Sequence, residues 1–217
     1  MRIRAERGVT LIEITVVLAA LSILTAALAP IASRTVDRAR LTRALSDEQA
    51  IRTALLAFLD ELPGYNGPKV DGTSTSSTAI QMLVSDGDTP REVGASGDAR
   101  WDDPVDNTGP LICDFLENHL VMNQPFEDVS KLYPTSGANN WRGAYISAPV
   151  DPDPWGNRYA VNVQWLQGTS TERKNDVIVL STGPDEQIDT AFEADGITPG
   201  DDDIIVVVRR DIGLTTP

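Results

Sequence analysis

Glu13 is an acidic residue inside a long apolar segment. Residues 9–31 (VTLIEITVVLAALSILTAALAPI) contain no other charged side chain. An ionised side chain at the centre of a membrane helix costs about 2.5–3.5 kcal/mol on insertion scales, so such residues usually have a partner. A cut between Gly8 and Val9 would create an α-amino group four residues before Glu13. That ammonium could pair with the carboxylate of the same chain or of a neighbouring copy.

The apolar segment is long enough to cross a membrane as a helix. Its 23 residues would span roughly 35 Å at about 1.5 Å per residue, and a hydrocarbon core is about 30 Å thick. The first eight residues contain three arginines and one glutamate, a basic start typical of a targeting segment. The arginines favour a cytoplasmic N-terminus and translocation of the rest of the chain.

These grounds leave three interpretations of residues 1–31 open. In the first, a secretory signal is cut after the small residues 27–29, although Pro30 would then directly follow the cut. In the second, the segment is an uncut signal anchor, which its hydropathy allows. In the third, a precursor is cut after Gly8, and the new amine gives Glu13 a partner.

Residues 7–13 (RGVTLIE) resemble the cleavage motif of type IV prepilins, in which a basic leader ends in Gly before an apolar residue and T-L-I-E. The resemblance implies that a prepilin peptidase cuts after Gly8 and methylates the amine of Val9. It also implies that Glu13 pairs with the N-terminal amine of an adjacent subunit during assembly. Pro30 matches the position of a helix-breaking proline in many of these subunits. Val9 departs from the family, which usually has Phe there.

A second stretch resembles the major pseudopilin of type II secretion systems. Its D-P-W-G-N-x-Y pattern is followed, in that family's order, by a strand ending in S-x-G-x-D and by an acidic loop closing in D-x-D-I. We expect a structural role for this stretch, because its Pro and Gly set a turn and its Trp can anchor that turn in the core. Residues 64–140 do not match. The residues of the pattern are Asp153, Pro154, Trp155, Gly156, Asn157 and Tyr159.

The acidic loop, residues 185–203, contains eight acidic side chains and no basic one. In the family this loop binds calcium, which takes six to eight oxygen ligands in proteins. Carried over by position, the resemblance implies that the ion is bound by the carboxylate of Asp185 and by one or both of those of Asp201 and Asp203, with Thr182 as the candidate for a backbone carbonyl ligand. A solvated acidic turn that binds no ion remains the alternative, because no EF-hand pattern is present.

The sequence patterns around these sites predict an α+β fold, in which a long helix packs on a small antiparallel sheet as in pilins. An apolar stripe continues the helix to Pro63-Gly64, and charged side chains, Glu48 among them, fill its other faces. β-branched runs at 159–165, 176–181 and 204–208 predict strands, with one sheet face on the helix and the other free to contact water. The stripe consists of Leu41, Leu45, Ile51, Leu55, Phe58 and Leu62.

The sequence divides into four segments. Residues 1–8 are the leader, 9–62 the transmembrane and stalk helix, 63–140 a loop-rich insertion, and 141–217 the sheet with its acidic loop. Within the insertion we predict short helices near 79–84 and over 110–121.

Composition excludes several classes of protein. The net charge of -14 and the pI near 4.4 argue against a nucleic-acid-binding surface, which needs a basic patch. The lone Cys113 excludes an intrachain disulfide and is expected to be buried. The lone histidine, His119, has no nucleophile-elbow motif around it, so no enzyme activity is predicted.

Together with these features, the two resemblances imply a structural filament subunit, a major pseudopilin-like component of a type II secretion pseudopilus that drives protein export. It would sit in a bacterial inner membrane with its C-terminal domain in the periplasm. Its partners would be further copies in a helical homopolymer, other pseudopilins, a prepilin peptidase and a membrane assembly platform. The alternatives are a major or minor type IV pilin for adhesion, motility or DNA uptake, and a membrane-anchored periplasmic binding domain.

Overall fold

The computed structural model describes residues 10–90, 92–93, 98–103, 105, 108–147, 149–166, 175–193 and 195–209. The chain divides into two compact units, residues 1–40 and residues 41–217. The predicted processing residues, Gly8 and Val9, lie outside the described residues.

Helix α1 runs from Leu11 to Glu61 and supplies residues to both units. Pro30 lies inside this helix. The predicted end of the helix is confirmed, because α1 ends at Glu61. Pro63 follows two residues later, and a proline cannot continue a helix. All described residues of the first unit are exposed, and this part of α1 is long and apolar enough to cross a membrane.

The second unit is built on a five-stranded mixed sheet with the strand order β3-β1-β4-β5-β7. A separate parallel pair joins β2 and β6. A short helix, α2, covers Leu116–Leu120. The strands are β1 Met82–Val84, β2 Glu92–Val93, β3 Cys113–Phe115, β4 Ala160–Val161, β5 Val177–Ser181, β6 Gln187–Ile188 and β7 Ile204–Arg209.

The predicted strands β5 and β7 are confirmed as an antiparallel pair, but the prediction of a purely antiparallel sheet is wrong. Strand β1 pairs with β3 in parallel, with Met82 opposite Cys113. Both strands come from the segment 63–140. The helix predicted near 79–84 is a strand, and the helix predicted over 110–121 is confirmed only for Leu116–Leu120, because residues 113–115 form β3. Residues 85–112 connect β1 to β3, which is long enough for the crossover that parallel strands require.

Both faces of the sheet are buried, so the expectation that one face could contact water is wrong for its central strands. Val177 and Val179 of β5 share an apolar cluster with Phe58 of α1. Ile178 and Leu180 lie in a second cluster with Trp101, Phe192 and Ile197. Segments 99–111 and 188–197 therefore cover the sheet face that lies away from α1.

Candidate functional site

Glu13 forms a reciprocal set of hydrogen bonds with Thr10 at the start of α1. The backbone N–H and the hydroxyl of Thr10 donate to Glu13 Oε2 at 2.8 and 2.9 Å. The backbone N–H of Glu13 donates to Thr10 Oγ1 at 3.3 Å. This is a capping box, in which a hydroxyl residue and the glutamate three positions later satisfy two unpaired N–H groups.

The capping box gives Glu13 a role that the sequence analysis missed, although T-x-x-E is its sequence signature. It holds the carboxylate at the N-terminal end of the helix, where the helix dipole favours negative charge. A cut after Gly8 would place the new ammonium on Val9, the residue directly before Thr10. Such an amine would compete with the cap for this carboxylate.

The second candidate site is the acidic loop between β5 and β7. Carboxylate oxygens of Asp185, Asp189 and Asp201 all lie within 4.8 Å of one another. Two of these residues, Asp185 and Asp201, were predicted as ligands from the resemblance. Asp189 was not chosen, because its position in the family pattern gave no reason to prefer it over the other loop acids.

The other two predicted ligands, Asp203 and Thr182, are buried and lie outside this triad. Asp203 Oδ2 accepts hydrogen bonds from the backbone N–H of Asp189 at 2.8 Å and from the hydroxyl of Thr190 at 2.7 Å. Burial raises the pKa of Asp203 to about 6. Asp203 thus holds the backbone that carries Asp189, and the Thr182 hydroxyl accepts a bond from Asn157 Nδ2 at 3.1 Å.

Close backbone contacts fix the shape of the acidic loop. Gly183 has a φ of +67°, and a Cβ there would collide with the carbonyl oxygen of Asp202. A Cβ at Gly200 would collide with the carbonyl oxygen of Asp189. Asp202 Oδ2 also accepts a hydrogen bond from the backbone N–H of Asp185 at 3.2 Å. The two ends of the loop are therefore held against each other.

The donor chemistry of the triad fits a hard divalent cation. Carboxylate oxygens are the ligands that calcium prefers, and three of them this close repel one another without a positive charge. Within the loop Glu193 is paired outside the triad, with Arg100 at 3.0 Å, and that arginine also contacts Asp98 at 2.7 Å. Both carboxylate contacts of Arg100 are therefore made away from the triad.

The D-P-W-G-N stretch ties the base of this loop to the sheet. Asp153 Oδ1 accepts hydrogen bonds from the backbone N–H groups of Trp155 and Asn157, each at 2.9 Å. Its Oδ2 accepts the Ser181 hydroxyl at 2.7 Å, at the end of β5. Trp155 itself is half-buried, whereas Tyr159 is fully buried. The anchor in the core is therefore Tyr159 and not Trp155, which the residue types had led us to expect.

His119 belongs to a buried hydrogen-bonded relay. Its Nε2 lies 2.9 Å from Asp114 Oδ2, and its Nδ1 lies 2.8 Å from the Tyr133 hydroxyl. All three side chains are almost completely buried, so a substrate cannot reach them. Cys113 is also buried, as predicted, and burial raises the pKa of its thiol to about 12. A thiol with that pKa is a poor nucleophile.

No protein-family model, curated protein or solved structure matches this chain. The pilin and pseudopilin expectations therefore rest on the motif residues themselves.

Proposed function

We propose that the protein is a structural subunit of a type IV pilin-like filament, and that its assembly is a type II secretion pseudopilus. The observation that carries the proposal is the position of the Glu13 carboxylate, which caps the first turn of an exposed apolar helix. The leader motif ending at Gly8 would create the amine that this carboxylate pairs with.

The exposed apolar surface of the first unit supports the proposal, because it suits a subunit that moves from one apolar environment to another. Leu11 is 84% exposed and Ile23 is 72% exposed, and no residue of the apolar window is buried. Contiguous apolar surface of this size marks a membrane or protein contact. A lipid bilayer can bury it before assembly, and the helices of neighbouring copies can bury it in a filament.

In this proposal the precursor is a single-pass protein of the bacterial inner membrane, with its second unit in the periplasm. A prepilin peptidase removes residues 1–8 and methylates Val9. A membrane assembly platform then extracts the subunits into a helical homopolymer with other pseudopilins. The protein acts by packing and carries out no catalysis, which agrees with the burial of His119.

The acidic loop has a part in this proposal as a calcium site. Asp185, Asp189 and Asp201 would bind the ion directly, with Asp203 holding the Asp189 backbone behind them. The ion would cancel the repulsion of the triad and order the chain between β5 and β7. A pseudopilin-like position for the loop, next to the D-P-W-G-N turn, supports this assignment.

Three variants of the first turn of α1 test the assembly role of Glu13. Glu13→Ala removes both the cap and the charge. Glu13→Gln removes the charge but keeps an oxygen that can accept the cap hydrogen bonds. Thr10→Ala removes the hydroxyl half of the cap and keeps the charge. Each is produced in a bacterium that has a prepilin peptidase and an assembly platform, and filaments are counted by electron microscopy and sedimentation.

The proposal predicts that all three variants stay in the membrane, that Thr10→Ala assembles, and that Glu13→Ala and Glu13→Gln do not. Filaments from Glu13→Gln at the wild-type level would show that the charge is not used. Long surface fibres from the wild type, in place of short periplasmic ones, would favour a type IV pilus. A wild type that keeps its leader and never assembles would favour the membrane-anchored binding domain.

A further inference from the structure

Glu48 is a fully buried carboxyl group in the middle of an acidic neighbourhood. It lies on α1, its side chain is 0% exposed, and neither carboxylate oxygen has a hydrogen-bond partner among the described residues. The backbone of Ser181 lies close enough to lower the pKa of Glu48 somewhat, but not in the geometry of a hydrogen bond. A buried ionised carboxylate without a partner is strongly unfavourable, so the group needs a counter-charge or a proton.

Among the described residues, the charged groups with the largest effect on Glu48 are acidic. Asp47 precedes it on the same helix, Asp153 faces it from the D-P-W-G-N turn, and Asp203 faces it from the residue before β7. Tyr159 approaches from the residue before β4, where its hydroxyl donates to Asp47 Oδ2 at 3.1 Å. The nearby arginine, Arg43, is half-exposed and contacts Asp47 at 3.4 Å. The surroundings therefore disfavour a negative charge on Glu48.

Glu48 does not belong to the acidic cluster that could share a metal ion. Among the described residues, that cluster is Asp185, Asp189 and Asp201. We propose that Glu48 binds a proton in the folded state and that this proton locks the lower part of α1 onto the sheet. Its loss at higher pH loosens the docking of residues 44–51, because Ala44 and Glu48 are the first buried residues of the helix.

Burial, and to a smaller extent the neighbouring carboxylates, raises the pKa of Glu48 to about 9. In the unfolded chain the group has its ordinary pKa near 4.5. Between these two values the folded state holds a proton that the unfolded state releases. Stability is therefore highest below the ordinary pKa and falls as the pH rises. Each pH unit in this window lowers the folding equilibrium constant about tenfold.

The test uses the full-length protein in detergent micelles. Glu48→Gln has nearly the same shape and cannot ionise, and Asp47→Asn is the matched control on the neighbouring residue. Denaturant unfolding is measured from about pH 6 to about pH 8. The ratio of the folding constant of Glu48→Gln to that of the wild type is expected to rise about tenfold per pH unit. Asp47→Asn is expected to keep the wild-type dependence on pH.

Two measurements on the wild type remain decisive even where Glu48→Gln does not fold. The infrared carbonyl band of a protonated carboxylic acid is expected in the folded protein at neutral pH. Hydrogen exchange at the amides of residues 44–51 is expected to accelerate as the pH approaches about 9, beyond the ordinary effect of pH on exchange. A missing carbonyl band, or the same pH dependence in Glu48→Gln and wild type, would overturn the proposal. So would stabilisation of the wild type by calcium that is lost in Glu48→Gln, since the counter-charge would then be a cation.

Discussion

Removing the hydroxyl of Tyr133 isolates the contribution of the buried relay to the second unit. This hydroxyl lies 2.8 Å from His119 Nδ1 and accepts the backbone N–H of Lys69 at 2.9 Å. Tyr133 is 1% exposed and His119 is 0% exposed. In Tyr133→Phe both bonds are lost at a site that is shielded from bulk solvent.

The magnitude follows from the two groups that lose their partner. A buried donor or acceptor left unsatisfied costs about 1–3 kcal/mol, so Tyr133→Phe is expected to lower the free energy of unfolding by roughly 2–6 kcal/mol. That is a large share of the roughly 5–15 kcal/mol of a typical domain. The ring itself stays packed edge-on against Phe58, so little apolar contact is lost.

Tyr145→Phe is the matched control. Tyr145 also packs edge-on against Phe58, but its hydroxyl makes a bond of 2.7 Å to Glu61 in a half-buried position. Water can reach the freed carboxylate there, so a loss of only about 0.5–1.5 kcal/mol is expected. Urea unfolding of both variants, followed by circular dichroism, measures the difference. A loss for Tyr133→Phe that equals the loss for Tyr145→Phe would refute the argument that the relay holds the segment 63–140 in place.

Two further changes test the acidic loop. Calcium is expected to stabilise the wild type by about 2.7 kcal/mol at a hundredfold excess over its Kd. Asp189→Asn is expected to lose most of this stabilisation in thermal unfolding, whereas the exposed Asp195→Asn is expected to keep it. Equal responses of the two variants to calcium would show that the triad does not bind the ion. Gly196→Ala is expected to cost about 1 kcal/mol because its φ of +76° is left-handed. Gly183→Ala should cost about 1–3 kcal/mol more, because its Cβ also collides with Asp202, and a smaller cost than that of Gly196→Ala would show that the loop ends are not held together.

Local sequence patterns were sufficient to predict those elements that short stretches of residues determine. Pro63-Gly64 stops α1, and the β-branched runs form β5 and β7. The run that forms β1 was predicted as a helix, because a short apolar run fits a buried strand and a helix equally well. Its parallel pairing with β3 joins residues far apart in the chain. Such a contact depends on the whole fold and leaves no periodic pattern in the sequence.

The candidate sites also divide into features with a local sequence signal and features that depend on the whole fold. The capping box of Thr10 and Glu13 could have been found from its spacing alone. Asp189 could not be preferred to Asp203, because the fold decides which carboxylate points away from the core. Glu48 was placed among the charged faces of α1, and the structure shows it buried. A signal for this existed, since Glu48 lies seven residues after Leu41 and seven before Leu55, on the apolar stripe.

The most direct test of the filament account is the intact mass and N-terminal sequence of the protein, purified from a membrane that contains a prepilin peptidase. The account predicts a chain that begins at Val9 and carries one methyl group on its amine. A chain that begins at Met1, or one that begins at Pro30 after a secretory cut, would leave Glu13 without its amine partner and would contradict the account.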